Sequence, residues 1–226
     1  RVMEDEDYMR NIYESTDEAG FRVLTWYSAG TRNFYAKKPI HSPDDLKGMK
    51  IRVQQSPASV GMVQAFGAAA APMSFGEVYT AIQQGVIDGG ENNELALTNN
   101  KHGEVAKYFS YNKHQMVPDM LVGNLKFLNS LSEQERQVFQ EAARISTRVE
   151  LEEWEKQVQQ AIDIAENDMG VTFIQVDMAP FHQKVLPLHA SMMEKNPDIR
   201  PIYEHIQAVN QEAAREAAEA QEREGE

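Results

Sequence analysis

The 226-residue sequence contains no cysteine, so disulfide bonds, thiolate nucleophiles and cysteine-ligated metals are excluded. No apolar run is long enough to span a bilayer, and residues 1–7 lack the pattern of a signal peptide, so we expect a chain that is either cytosolic or without its natural beginning. Positive charge is also scarce. The 22 Lys and Arg against 35 Asp and Glu give a net charge of −13, which argues against nucleic acid as a partner and against docking on an anionic membrane surface.

The common enzymatic signatures are missing as well. The sequence has no G-x-S-x-G, H-E-x-x-H, Walker or G-x-G-x-x-G motif. His182 and His189 lie seven residues apart and could share a helix face as metal ligands, but no third ligand is indicated, so ordinary histidines are the better interpretation. We therefore expect no catalytic residue, no metal and no cofactor.

The residues that are present predict an α/β fold. With 42% hydrophobic residues the chain can bury a substantial core, and short strands alternate with helices. An uninterrupted helical pattern then runs from 132 to about 169, followed by helices at 179–194 and 201–210 and a frayed helix or solvated tail. The predicted strands are 21–28, 49–53, 69–73, 86–90, 105–111, 116–127 and 171–176.

One short strand carries an arginine between apolar residues. In Ile51-Arg52-Val53 the alternation of a strand turns Arg52 away from its neighbours. Composition alone favours an exposed arginine in a surface ion pair. The alternative is that Arg52 projects into a cleft, where its planar guanidinium can hold a ligand carboxylate through two parallel hydrogen bonds.

Five motifs, in order and spacing, resemble the DctP-like family of TRAP solute receptors, and the resemblance covers about residues 20–210. They are GTR at 30–32, PI at 39–40, DDLKGMKIRV at 44–53, PMSFGEVYTA at 72–81 and GVIDGGENN at 85–93, and the resemblance continues through HGEVAKY at 102–108 and LS at 131–132. The resemblance implies a two-lobed, hinged α/β fold of the periplasmic-binding-protein type with a long lobe-bridging helix. The family's first lobe begins upstream of residue 1, so its N-terminal lobe is expected to be truncated here.

The same resemblance implies a division of the chain. Residues 1–29 correspond to a remnant of the first lobe and 30–117 to the second lobe with the ligand-binding motifs. Residues 118–157 form the crossover back to the first lobe and the start of the long helix. Residues 158–226 hold the end of that helix, the C-terminal helices of the second lobe and an acidic tail.

The resemblance also implies a ligand site. The strand arginine that clamps the ligand carboxylate maps onto Arg52, and a second carboxylate or hydroxyl partner maps onto Arg32. Asn92 supplies an amide and Phe75 an aromatic wall. Judged from the residues alone, other interpretations remain. Phe75 could be an ordinary core residue, Asn92 a turn or cap residue and Arg32 a surface residue. Two further positions often line the pocket in the family: Gln55 and Asp119.

The ligand implied by the resemblance is a small organic acid. Asn93 stands where many dicarboxylate receptors of the family carry proline, which favours a sugar acid, a uronate or an aldonate. The implied protein is periplasmic, or extracellular and lipid-anchored, and delivers its ligand to TRAP membrane subunits without entering the membrane. Three other interpretations remain: an α/β enzyme acting on a carboxylate, a ligand-sensing module for a signalling partner, and an ABC-type receptor of similar architecture.

Overall fold

The computed structural model describes the backbone of residues 1–224 and the side chains of residues 1–220, so the last two residues of the expected tail, 225–226, lie outside the described residues. Strands and helices alternate through the first half of the chain, as the sequence predicts. The strands are β1 (Phe21–Tyr27), β2 (Thr31–Ala36), β3 (Lys50–Val53), β4 (Ala69–Pro72), β5 (Gly89–Asn92), β6 (Tyr108–Met116), β7 (Asp119–Asn124) and β8 (Thr172–Gln175).

The α-helices are short in the first half of the chain and long in the second. They are α1 (Glu6–Glu14), α2 (Pro57–Ala65), α3 (Val78–Gln83), α4 (Leu95–Asn99), α5 (His102–Val105), α6 (Leu125–Ser130), α7 (Glu133–Asn167), α8 (Ala179–Lys195) and α9 (Arg200–Glu224). Helix α7 runs for 35 residues with neither Gly nor Pro, and Ser132 and Glu135 cap its start reciprocally. No helix in the described part of the chain is long and apolar enough to cross a membrane.

The described chain divides into two compact units. Unit 1 contains Arg1–Trp26, Leu121–Gln140 and His189–Glu226, and unit 2 contains Tyr27–Met120 and Glu141–Leu188. In unit 1 the strands β1 and β7 pair, and the ring of Tyr8 on α1 stacks on the ring of His205 on α9 with 3.7 Å between centroids. The division into lobes expected from the family resemblance stays a prediction.

Unit 2 is built on a six-stranded sheet in the order β4-β3-β5-β2-β6-β8. Strands β3, β4 and β5 are parallel, β6 and β8 are parallel, and β2 runs antiparallel to both of its neighbours, β5 and β6. Five of the six strands therefore point the same way, and their carboxyl ends lie at one edge of the sheet. The amino end of β2 lies at that same edge, because Asn33 pairs with Asn92 at the end of β5.

Each face of this sheet has its own apolar core. Phe34, Ile51 and Val53 pack on one face, which we call face A. The next residue of β2, Tyr35, packs on the other face with a second cluster, and we call that side face B. The alternation of side chains along each strand thus decides which core a residue enters.

Candidate functional site

The residues singled out in the sequence meet at the carboxyl edge of the unit 2 sheet. Arg52 lies near the end of β3, Phe75 follows the end of β4, and Asn92 ends β5. Arg32 lies near the start of the antiparallel β2, beside Asn92. Open α/β sheets bind their ligands outside the carboxyl ends of their strands, so this edge is the natural place for a site.

Arg52 is a buried cation with no carboxylate partner among the described residues. It is 4% exposed, and its Nε and Nη2 groups donate to the backbone carbonyl of Met73 at 3.2 and 3.0 Å. Within the described residues it forms no ion pair, and its Nη1 group has no hydrogen-bond partner. Burial lowers the pKa of Arg52, because the charged form loses hydration. A buried positive charge in this state attracts an anion.

The aromatic ring of Phe75 lies against this cation. The guanidinium carbon of Arg52 stands 5.2 Å from the ring centroid, within the range of a cation–π contact. Phe75 also meets the ring of His102 edge to face, with 5.1 Å between centroids. The Nδ1 atom of His102 lies 2.9 Å from the hydroxyl of Tyr35. These four side chains therefore form a continuous row.

Arg52 and Arg32 enter the site from opposite faces of the sheet. Arg52 alternates with Ile51 and Val53, whose side chains are on face A, so it points to face B. Arg32 lies two residues from Phe34 and therefore shares face A. The two guanidinium groups approach the edge from different sides.

Arg32, unlike Arg52, has its charge compensated. Its Nε donates to Oε2 of Glu91 at 2.5 Å, and its Nη2 donates to Oε1 of the same carboxylate at 2.9 Å. Glu91 is fully buried, and Arg32 is 8% exposed. Burial alone would raise the pKa of Glu91, but hydrogen bonds from His114 and Arg32 and the charge of Arg32 outweigh it and hold that pKa below its ordinary value. Arg32 is thus half of a buried ion pair.

Asn92 connects this ion pair to the edge of the sheet. Its Oδ1 accepts from Nη1 of Arg32 at 3.1 Å and from the backbone N–H of Asn93 at 2.9 Å. Its Nδ2 group has no hydrogen-bond partner among the described residues. An amide with its oxygen engaged and its nitrogen available can donate to a polar ligand atom.

A bulge in β6 brings His114 against the Arg32–Glu91 ion pair. Phe34 pairs with Ser110 and Arg32 with Gln115, so four residues of β6 stand opposite one residue of β2. The bulge places His114 with its Nε2 3.4 Å from Oε2 of Glu91 and its ring stacked on Phe34 at 4.6 Å. Burial lowers the pKa of His114, against the opposing effect of Glu91.

The two remaining expected positions lie near the edge but touch none of these groups. Gln55 is exposed, two residues past the end of β3. Asp119 is exposed at the start of β7, three residues past the end of β6. Neither forms a hydrogen bond or ion pair within the described residues, and their role in the site stays a prediction.

Four residues of the site are not predicted as site residues by the sequence: Glu91, Tyr35, His102 and His114. Glu91 and His102 both lie inside the quoted motifs. The burial of the Glu91 carboxylate, however, depends on its partner Arg32, which is 59 positions away in the sequence. The sequence feature that could have indicated a buried carboxylate is the single glutamate within the glycine-rich strand GGEN. No group of three or more His, Asp or Glu that could hold a metal occurs among the described residues.

A family model and curated proteins match most of the chain. The family model described as bacterial extracellular solute-binding protein, family 7 (DctP), matches residues 1–196. An uncharacterised protein of Salmonella typhimurium, YiiZ, is 38% identical over 210 residues, which are 92% of this chain and 64% of that protein. The chain therefore spans less than two thirds of the length of this curated relative.

Two solved structures are similar over most of the chain. A TRAP periplasmic solute binding protein from Anaerococcus prevotii, with bound D-glucuronate, superposes with a TM-score of 0.87 at 50% identity and covers 93% of this chain and 68% of its own. A TRAP periplasmic solute binding protein from a Sulfitobacter species, with bound β-D-galacturonate, has a TM-score of 0.82 at 33% identity and covers 88% and 66%. The α/β fold expected from the sequence is confirmed as that of periplasmic solute-binding proteins.

Proposed function

Because this chain belongs to family 7 of the bacterial extracellular solute-binding proteins, we propose that it is a receptor that captures a sugar acid and catalyses no reaction. The preferred ligand class is a hexuronate, a six-carbon sugar with one carboxylate. Similar proteins hold D-glucuronate and β-D-galacturonate in their solved structures, which supports this class. The E-N-N sequence at Glu91, Asn92 and Asn93 favours a sugar acid as well.

The main observation behind the proposal is that Arg52 is buried and that no carboxylate among the described residues pairs with its charge. A charged group that loses its hydration needs an opposite charge or several hydrogen bonds, and here one carbonyl supplies both contacts. The free side of the guanidinium can meet a carboxylate through charge-assisted hydrogen bonds. Phe75 adds apolar surface that excludes water from this contact. The carboxylate of the ligand is therefore assigned to Arg52.

Arg32 and Asn92 are assigned to the hydroxyl groups of the sugar. The carboxylate of Glu91 already compensates Arg32, so a second anion there would meet little net attraction. The Nδ2 group of Asn92 and the remaining N–H of Arg32 Nη1 are donors suited to neutral oxygens. The Arg52 end of the site thus favours a negative charge, and the end formed by Arg32 and Asn92 favours hydroxyl groups. Gln55 and Asp119 are proposed to line the rim.

The partners and location follow from the family. We propose that the receptor works outside the cytoplasm, in a periplasm or anchored at the cell surface, and passes its ligand to TRAP membrane subunits. These assignments rest on the relatives named as TRAP periplasmic solute binding proteins. The net charge of −13 suits a protein that stays in solution beside anionic membranes.

A thermal-shift titration tests the ligand class. The chain is unfolded in the presence of D-glucuronate, D-galacturonate, D-gluconate, succinate or D-glucose. A ligand at a hundredfold excess over its Kd stabilises the folded state by about 2.7 kcal/mol, which raises Tm by several degrees. We expect this shift with a uronate and none with D-glucose, which has the ring but no carboxylate. A shift of equal size with D-glucose, or no shift with any sugar acid, contradicts the proposal.

A further inference from the structure

Face B of the sheet carries a buried pair of polar side chains, Tyr35 and His102, in direct contact. Tyr35 is completely buried, and His102 is 2% exposed. The Tyr35 hydroxyl and His102 Nδ1 are 2.9 Å apart, and their rings are 5.3 Å apart. Because both side chains are buried, we expect the pair to affect the site through the side chains packed against it.

The position of Tyr35 is fixed by the sheet itself. Tyr35 pairs with Gly90 on β5, and a Cβ atom at Gly90 would come within 2.7 Å of the Tyr35 hydroxyl oxygen. The glycine therefore makes room for the tyrosine to lie across β5. From there its hydroxyl reaches His102, which begins the short helix α5. The tyrosine holds the histidine ring in one orientation.

The histidine in turn supports the wall of the site. The edge-to-face contact between His102 and Phe75 fixes the ring of Phe75, which turns its face to Arg52. Each step of this row is a direct contact: Tyr35 to His102, His102 to Phe75, Phe75 to Arg52. A guanidinium without a carboxylate partner depends on such contacts for its position.

The charge state of the pair suits this role. Burial, and then the positive charge of Arg52, lower the pKa of His102 to about 4, so the imidazole is neutral at neutral pH. Burial and the negative charge of Glu91 raise the pKa of Tyr35. Two residues past the end of α5, the ammonium of Lys107 donates to the carbonyls of Gly103 and Met169. Arg52 therefore keeps the only full charge in its row, and no neighbour in the row competes with the ligand.

We propose that Tyr35 and His102 are positioning residues that hold Phe75 and Arg52 in the arrangement that selects a carboxylate over its neutral analogue. The inference rests on the proposed function and assigns to it two residues that do not touch the ligand. The pair sets the strength of the charge contact and leaves the hydroxyl end of the site unchanged.

The test compares a charged ligand with its neutral amide. Kd is measured by calorimetry for D-glucuronate and for D-glucuronamide, and their ratio gives the preference for charge. In His102→Leu we expect this ratio to fall about tenfold, the size of a lost cation–π contact of a desolvated group. In His102→Gln, whose amide can still bond the Tyr35 hydroxyl, the ratio should stay within about threefold of wild type. His41→Gln, at an exposed histidine, is the matched control.

The ratio separates positioning from mere stability, because a lower folded fraction weakens both ligands equally. An unchanged ratio in His102→Leu overturns the inference while the proposed function stands, provided that Arg52→Ala abolishes the preference. If wild type binds neither ligand, the proposed function fails and the inference fails with it. Should His102→Leu not fold, Tyr35→Phe removes a single hydroxyl, and a ratio equal to wild type in that variant is the overturning result.

Discussion

At the scale of single residues, the two arginines of the site differ in what surrounds their charge. Arg32 shares a bidentate ion pair with Glu91 inside the protein. Among the described residues, the contacts of the Arg52 guanidinium are the carbonyl of Met73 and the face of Phe75. Both arginines are almost fully buried, at 8% and 4% exposure. The same residue type thus has two environments: one arginine is part of a buried ion pair, and the other is the one to which we assign an anion.

The Arg32–Glu91 pair gives a first prediction. Glu91→Gln leaves the guanidinium buried without its counter-charge, and we expect a loss of about 3 to 5 kcal/mol in the free energy of unfolding. The double variant Arg32→Met with Glu91→Gln removes the buried charge and should recover part of that loss. Urea unfolding measures both values. Glu153→Gln, which breaks an exposed ion pair with Lys156, is the control and should change stability little.

Equal stability of the Glu91→Gln and Glu153→Gln variants would mean that water reaches the buried pair. In that case Arg32 would be solvated, and its charge would not need Glu91. Arg32 would then again be a candidate for binding the carboxylate of the ligand.

The buried His102 gives a second prediction, on pH. Its pKa is lowered in the folded chain, from an ordinary value of 6.5 to about 4, so the unfolded chain binds the proton more readily between these values. Stability should therefore fall as pH drops from about 6.5 to about 4, by up to about 3 kcal/mol from this residue. His102→Gln cannot take up that proton. The difference in unfolding free energy between wild type and His102→Gln should follow this pH course, and a difference that is independent of pH contradicts it.

At the scale of secondary-structure elements, the close approach of β2 and β5 is what brings Arg32 to Asn92. A Cβ atom at Gly89 would lie 2.3 Å from the backbone oxygen of Tyr35, a contact that only backbone movement can relieve. We predict that Gly89→Ala destabilises the chain by about 3 kcal/mol and weakens uronate binding. Gly76→Ala is the matched control, because a Cβ there meets nothing within 4 Å. Unfolding curves of the two variants should separate clearly, and coincident curves would contradict the packing described.

The elements also show which parts of the fold the sequence predicts. The long helix is confirmed almost to the residue, as Glu133–Asn167 against a prediction of 132–169, because 35 residues without Gly or Pro carry a strong local signal. The strands at Phe21–Tyr27 and Thr172–Gln175 are confirmed for a similar reason, as short runs rich in apolar residues that follow Gly20 and Gly170. At the C-terminus, α9 continues to Glu224 where a frayed helix or solvated tail was expected beyond residue 210.

Two strands at the centre of the site were missed or misplaced. The local pattern predicts no strand at Thr31–Ala36, because Arg32 and Asn33 interrupt it, yet Asn33 is buried and its Oδ1 accepts from the backbone of the β6 bulge. The strand expected at 86–90 lies at Gly89–Asn92, where glycines and a buried glutamate oppose local strand propensity. Both strands are specified by pairing with distant residues, which is why the motifs indicate candidate site residues but the sequence does not predict the Arg32–Glu91 ion pair.

At the scale of the whole molecule, comparison shows the family and the fold, and the ligand class is our proposal. The chain spans 64% of the length of a curated relative, and every residue assigned to the charge end of the site lies in unit 2. Unit 2 carries the complete sheet edge with Arg52, Phe75 and Asn92. We therefore predict that the described chain retains a measurable preference for uronates over neutral sugars, detectable as a difference in Tm between D-galacturonate and D-galactose. Equal Tm values with both sugars contradict this prediction.

The central claim is that Arg52 holds the carboxylate of a sugar acid. Isothermal titration of D-glucuronate into wild type, Arg52→Ala and Arg10→Ala tests it most directly, with Arg10 as an exposed arginine outside unit 2. We predict the same Kd for wild type and Arg10→Ala, and a Kd weaker by about 100-fold or more for Arg52→Ala, since a buried carboxylate then loses its partner. Binding of D-glucuronate by Arg52→Ala with wild-type affinity contradicts the account.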